Sequence, residues 1–307
     1  MKTVEQGLVT LALAVAFAAG PALAGPPSQP TFLGSARPKQ PVKRLVSLAP
    51  NLTEIVFALG AGERVVGVTR YDDYPPQVEQ LPEVGGFLDP SLEVIAGLKP
   101  DLVVCVPNSG NRARMRGLSR LSIPVLVLPA YAIDDVYRAI AELGRWLECE
   151  SRAAELIAGM KRRAARVARR VAELKRPRVL LVYGHRPLVA AGPGSFADWM
   201  IRSAGAENVL SNAKVRYPKL PLEAVLELAP EVIVDASASG SGASMEPAEV
   251  RGFWLRWQVI PAVRHGRIHQ FDSALWFRPG PRLVQGLERL TVLLHPEIEA
   301  FGAERKD

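Results

Sequence analysis

The residues able to do chemistry fall in a few short stretches. Pro50-Asn51, Tyr71 through Tyr74, Phe87-Leu88 and Asn108–Asn111 lie in the first half, and Tyr183-Gly184-His185-Arg186 and Asp272 through Pro279, with Trp276-Phe277-Arg278 inside it, lie in the second. Aromatic rings, amides and one or two arginines dominate these stretches, and acid-base groups are few. Such a lining suits a large, flat or bulky ligand held between two faces. Trp276-Phe277 stands out because large apolar residues in a Pro-flanked loop need a partner. Catalysis is poorly supported. No Gly-x-Ser-x-Gly elbow, Walker-type phosphate loop or Cys-x-x-Cys pair is present. His185, His265, His269 and His295 all lie in the second half, so a histidine site shared between halves cannot form and no metal site is expected. His185 leaves a strand end and is a candidate ligand contact. An exported α/β enzyme using His185 with Asp272 is the rival from another class, and it lacks a convincing nucleophile.

Two further acids occur at matched places. Leu92-Glu93 opens a unit that runs through Lys99-Pro100-Asp101 to Val104, and Leu222-Glu223 opens its copy through Ala229-Pro230-Glu231 to Val234. Each reads as a short helix, a Pro-acid turn and an apolar strand buried on both faces. A carboxylate in a first helical turn is explained by the helix dipole alone. Matched carboxylates in two similar halves also suit docking on a two-fold symmetric partner.

The elements that must position these groups follow from pattern. Arg44–Leu48 reads as a strand, Pro50–Glu54 as a turn with a capping residue, Ile55–Leu59 as a helix and Val65–Val68 as the next strand. Helices are predicted at Arg112–Leu121 and Asp134–Leu147, and a strand at Pro124–Leu128. From Ser151 to about Lys175 one long helix keeps an apolar face opposite a face of lysines and arginines. It would span on the order of 37 Å, enough for a strut between lobes. Arg178–Tyr183, Phe196–Ser203, Pro247–Trp257, Arg267–Phe271 and Arg282–Leu294 continue the pattern, so that the second half repeats the first element by element. The expected fold is α/β, with two open Rossmann-like lobes joined by a single long α-helix and a ligand cleft between them, beyond the C-terminal ends of the strands.

The 307 residues and 48% hydrophobic content allow two such lobes. Lys2, the apolar stretch Leu8 to Ala19 and Pro21-Ala22-Leu23-Ala24-Gly25 read as a signal peptide cleaved after Ala24, giving a periplasmic protein. No cysteine sits at that site, so a lipid anchor is not indicated. The divisions are then 1–24 signal peptide, 25–42 flexible leader, 43–148 first lobe, 149–176 interlobe helix and 177–307 second lobe. Cys105 and Cys149 are expected as separate thiols. The net charge of +7 lies largely on the long helix, where a solvated face explains it, and no nucleic-acid partner is expected.

These residues resemble a known family. Leu48-Ala49-Pro50-Asn51-Leu52-Thr53-Glu54, Tyr71-Asp72-Asp73-Tyr74-Pro75-Pro76, the Leu92 to Val103 unit and Trp276-Phe277-Arg278 with Pro281-Arg282 are similar to the cobalamin-binding periplasmic proteins of ABC importers, within a wider class that also carries siderophores and haem. The resemblance covers about residues 43–296. It implies a ligand held between lobes with little hinge closure, no catalysis and no resident cofactor, cobalamin or a related corrinoid being cargo. It implies cargo contacts at Pro50, Asn51, Tyr71, Asp73, Phe87, Tyr183, Trp276, Phe277 and Arg278. Glu93 and Glu223 would each pair with arginines of a permease dimer, and the free protein would be a monomer. Phe87 departs from the family, where a tryptophan is usual, and His185-Arg186 is more basic than the cobalamin pattern. Both departures leave haem or a ferric siderophore as alternatives.

Overall fold

In the computed structural model, residues 29–34, 41–108, 110, 112–237, 246–270 and 278–301 are described. The signal-peptide reading and Trp276, Phe277 and Asp272 lie outside them. The first sheet is built from β1 (Thr31–Leu33), β2 (Leu45–Ser47), β3 (Val65–Gly67), β4 (Leu102–Cys105) and β5 (Val125–Val127). Its order is β1-β5-β4-β2-β3, with β1 antiparallel to β5 and the other pairs parallel. Between these strands run the helices α1 (Pro50–Ala58), α2 (Leu92–Gly97) and α3 (Arg112–Arg120). α4 (Ile133–Trp146) follows β5, and α5 (Glu150–Arg170) carries the chain to the second sheet.

That sheet contains β6 (Arg178–His185), β7 (Leu188–Ala190), β8 (Glu207–Asn208), β9 (Lys219–Leu220), β10 (Val232–Asp235) and β11 (Ile268–Gln270). Its path is β11-β10-β6-β7-β9, and β8 pairs with β6. The helices are α6 (Phe196–Ser203), α7 (Leu222–Leu228), α8 (Pro247–Leu255), α9 (Pro261–Arg264) and α10 (Leu283–Leu294). Strands buried on both faces alternate their side chains between cores. Val232 and Val234 pack with α6 and α10, whereas Ile233 packs with Trp254 of α8. β4 does the same in the first lobe, with Leu102 and Val104 on one side and Val103 and Cys105 on the other. That burial pushes the Cys105 thiol up to about 12, and both Cys105 and Cys149 are free.

The duplication has a hydrogen-bonded basis. The order β5-β4-β2-β3 in the first sheet matches β11-β10-β6-β8 in the second. Asp101 accepts from the backbone N–H groups of Lys43 and Arg44 at 2.9 Å, and Glu231 accepts from that of Arg178 at 3.0 Å. The guanidinium of Arg44 donates to the Leu98 carbonyl, and that of Arg178 to the Leu228 carbonyl. Lys99 and Ala229, at the matching turn, both take a positive φ. The acid after each proline therefore ties its helix-turn unit to the start of the lobe's first strand.

Three expectations need correction. The repeat is not complete, because β6 continues past its pairing with β8, turns at Arg186-Pro187 and pairs with β7, which β9 extends; among the described residues the first lobe has no counterpart. Part of the expected flexible leader is ordered, since Thr31–Leu33 finds unpaired edge groups on β5 and Val42 is buried. Finally, α1 begins at Pro50, not at Ile55. Proline is pre-set for the first helical position, and the Ala49 carbonyl accepts from Leu52 and Thr53.

The long helix is four to five residues shorter than its pattern, because the chain leaves helical geometry after Arg170. At its 21 residues it spans roughly 31 Å. It packs on α4 of the first lobe and on α10 of the second, and on α10 the buried Glu288 accepts from Arg163 at 3.0 Å and Arg166 at 3.0 Å. Beyond its end, a Cβ on Gly205 would lie 2.6 Å from Val171 Cβ, and Gly205 has φ +74. Gly205→Ala is therefore expected to destabilise the protein by about 1–3 kcal/mol, read from chemical denaturation, because both the φ and the contact oppose a side chain.

Candidate functional site

Starting α1 at Pro50 places Asn51 and Glu54 one turn apart on a face that meets the second lobe. Asn51 donates from Nδ2 to the Pro279 carbonyl at 3.4 Å. Glu54, with a side chain only 2% exposed, accepts from Arg282 Nε at 2.8 Å and Nη2 at 2.5 Å, and from Arg278 at 3.5 Å. Arg278 in turn pairs with both oxygens of Asp73, one at 2.8 Å, and donates to the Tyr71 carbonyl at 3.1 Å. Two carboxylates and two guanidiniums thus form a charge-balanced quartet across the lobes. Arg282 also lies over the Tyr74 ring, 3.9 Å from its centroid. Behind the quartet, a cavity of about 580 Å³ runs between α1, the Tyr74 loop, α5 and α10, with Phe57, Met160 and Val284 among its walls.

The loop bearing Tyr71 is held from below by Asp72. Its Oδ2 accepts from the Thr69 backbone at 3.0 Å and the Thr69 hydroxyl at 2.6 Å, and that hydroxyl accepts from the Tyr71 N–H. Oδ1 is buried without a partner among the described residues. Burial pushes the Asp72 carboxyl above the usual carboxylate range, against the opposing pull of Thr53, Thr69 and the Arg278 charge. A raised carboxyl pKa means that the folded protein binds the proton more tightly than the unfolded chain, so the associated stability is present at low pH and lost as pH rises through the raised value. Asp72→Asn removes that loss. Its melting temperature is expected to gain on the wild type as pH rises above the ordinary carboxylate range near about 4, and a difference that stays constant with pH would show that Asp72 does not titrate abnormally.

Tyr71 is half-buried beside Gly86, where a Cβ would meet its ring at 3.2 Å, and this brings Tyr71 to the segment carrying the half-buried Phe87. Tyr183 is half-buried and meets Tyr217 edge to face, with centroids 5.7 Å apart. Arg216 lies 4.9 Å from the centroid of Tyr131, whose hydroxyl donates to the Pro107 carbonyl. Burial raises the phenols of Tyr183, Tyr217 and Tyr131, so they present neutral rings and O–H donors. His185 is buried, and it pairs with Asp235 at 2.7 Å. Glu93 and Glu223 are exposed in the first turns of α2 and α7.

The structure therefore brings Asn51, Tyr71, Asp73 and Arg278 together. It adds Glu54 and Arg282, which had stood only as members of motifs, and Tyr131, Arg216 and Tyr217, which carried no signal beyond their residue type. Among the described residues no group of three or more His, Cys, Asp or Glu could hold a metal ion.

A family model described as periplasmic binding protein matches residues 45–275. The chain belongs to this family. It is 27% identical over 254 residues to the vitamin B12-binding protein of Pectobacterium atrosepticum, covering 81% of this chain and 87% of the relative. An uncharacterised ABC transporter substrate-binding lipoprotein of Bacillus subtilis is 30% identical over 266 residues, 84% of this chain and 82% of the relative. Among solved structures, the periplasmic vitamin B12-binding protein of Vibrio cholerae superposes with TM-score 0.70 at 26% identity, over 83% of this chain and 97% of that one. A periplasmic haem-binding protein from Pseudomonas aeruginosa gives 0.74 at 27%, over 85% and 95%. The family binds solutes and is not a family of enzymes, and the two-lobed fold is the one shared with these relatives.

Proposed function

We propose that the protein captures cobalamin or a related corrinoid between its lobes in the periplasm and delivers it, chemically unchanged, to the permease of an ABC importer. The observation that carries the reading is the loop from Tyr71 to Pro76. Its sequence resembles that of cobalamin carriers, and here it is held at the lobe junction by Arg278 and Glu54. Tyr71, Phe87 and Tyr183 offer aromatic surface to a flat macrocycle, Pro50 and Asn51 border it, and Trp276 and Phe277 belong to the same proposed set. Glu93 and Glu223 would dock the permease. Export through a signal peptide cleaved after Ala24 belongs to the same reading, and sequencing of the mature N-terminus tests it. A titration of purified protein with cyanocobalamin should show saturable one-to-one binding, and no binding at high micromolar concentration would count decisively against the reading.

Haem or a ferric siderophore is the second reading, favoured by the basic pair His185-Arg186 at the end of β6. It predicts a Soret or charge-transfer band on mixing. For haem the band should weaken in His185→Ala, and an unchanged spectrum would remove His185 from the account.

A further inference from the structure

In the second sheet the chain goes from β6 to β8 on one side and reaches β10 on the other. Such a switch in an open α/β sheet opens a crevice beyond the carboxyl ends of the two strands, where ligands bind. A cavity of about 400 Å³ lies there, lined by His185 and Arg186 at the end of β6 and by Glu249, Gly252, Phe253 and Arg256 on one face of α8 and its C-cap.

The polar groups around it are unevenly satisfied. Asp235, closing β10, accepts from His185 Nε2 at 2.7 Å, Trp254 Nε1 at 2.5 Å, and the Ser237 backbone and hydroxyl at 3.0 and 2.7 Å. An ionised carboxylate only accepts, so His185 carries a hydrogen on Nε2. Nδ1 of the same ring, in a side chain 2% exposed, has no partner among the described residues. A buried polar atom left unpaired requires an explanation, such as a ligand that satisfies it. Phe253 packs edge to face against His185 at 4.3 Å, and the Arg256 guanidinium lies 5.4 Å from the Phe253 centroid. Among the described residues no carboxylate is within ion-pair distance of Arg186 or Arg256. The one acid in the lining, Glu249, is committed to the helix start, where it accepts from the Glu246 N–H at 2.9 Å.

We propose that this cavity is an oxyanion subsite, in which Arg186 and Arg256 donate to a carboxylate or phosphate seated against the buried His185 ring. Guanidiniums suit such groups because they donate two parallel hydrogen bonds. The inference rests on the reading of the chain as a binding protein, not on which macrocycle it carries. The anion can be an acidic substituent of the cargo or free phosphate, which share the chemistry.

The test titrates inorganic phosphate into the full-length protein while the His185 ring nitrogens are followed by NMR, and repeats it with Arg186→Gln/Arg256→Gln. Both arginines are exposed, so the double variant should fold, and a thermal melt checks it. A parallel arm compares cyanocobalamin with its monocarboxylate derivative. Phosphate binding that shifts the His185 signals and falls about ten-fold or more in the double variant supports a free-anion site. A preference for the carboxylate derivative that the double variant erases supports a cargo subsite. No phosphate-dependent shift together with equal affinities for the two corrinoids would overturn the proposal. A wild type that binds neither corrinoid sinks the cobalamin reading, while the phosphate arm still decides this one.

Discussion

Glu54→Ala should lower the stability of the protein by about 3–5 kcal/mol, a fall in melting temperature on the order of 10 °C. The size follows from what the substitution leaves behind. Glu54 is the acceptor for three of the guanidinium contacts in the quartet, its own side chain is 2% exposed, and Arg278 and Arg282 are 17% and 15% exposed. Hydrogen bonding to Glu54 also holds the Arg282 guanidinium above even its ordinary high pKa, a sign that the pair is only partly screened by water. With alanine in place, Arg278 keeps Asp73, but among the described residues Arg282 has only the Tyr74 ring. An exposed pair would contribute about 0–1 kcal/mol, so the expected effect separates a buried lobe junction from a surface contact. Glu54→Gln, which keeps shape and loses charge, should fall between wild type and alanine. A double-mutant cycle with Arg282→Ala gives the coupling directly, and a coupling below about 0.5 kcal/mol would show that the quartet does not hold the lobes together. Cargo affinity should drop in the same variants, because Arg278 reaches the Tyr71 carbonyl and sets the loop that the corrinoid would meet.

What was legible in the sequence was whatever repeats locally. The paired Leu-Glu units, the Pro-acid turns and the apolar strands were readable because each depends on neighbours within a dozen residues. The acids after Pro100 and Pro230 prove to bind the first strand of their own lobe, which is why the unit recurs with its punctuation intact. The long helix was readable from its apolar stripe, though not its end, where Val171 turns out of the helix against Gly205. The missed features depend on distant partners. Glu54 and Arg282 are 228 residues apart, and no periodicity connects them. Thr31–Leu33 forms a strand because β5 offers an edge, not because three residues prefer that shape. His185 looked like a group at a strand end. In the fold its Nε2 is taken by Asp235, which only the parallel pairing of β10 with β6 brings near.

The second large effect concerns the proposed permease-docking surface. Glu93→Arg with Glu223→Arg is expected to reduce importer-dependent uptake to the level seen without the binding protein, while cargo affinity stays within about two-fold of wild type. Each glutamate follows the leucine that opens its helix, each is exposed, and neither has an ion-pair partner among the described residues. Loss of the favourable dipole interaction costs about 0.3–1 kcal/mol per site, too little to unfold the chain. The two helices occupy equivalent places in the duplicated lobes, so the charges are related by the internal repeat and can meet matching arginines on a permease dimer. Reversal converts each attraction into a like-charge contact, which costs far more at a docked interface than in free solution. Single reversals should give partial uptake, and arginine-to-glutamate changes on the permease should restore transport with the double variant. Normal uptake by a correctly folded, ligand-competent double variant would remove both glutamates from the docking surface and leave the helix dipole as their whole explanation.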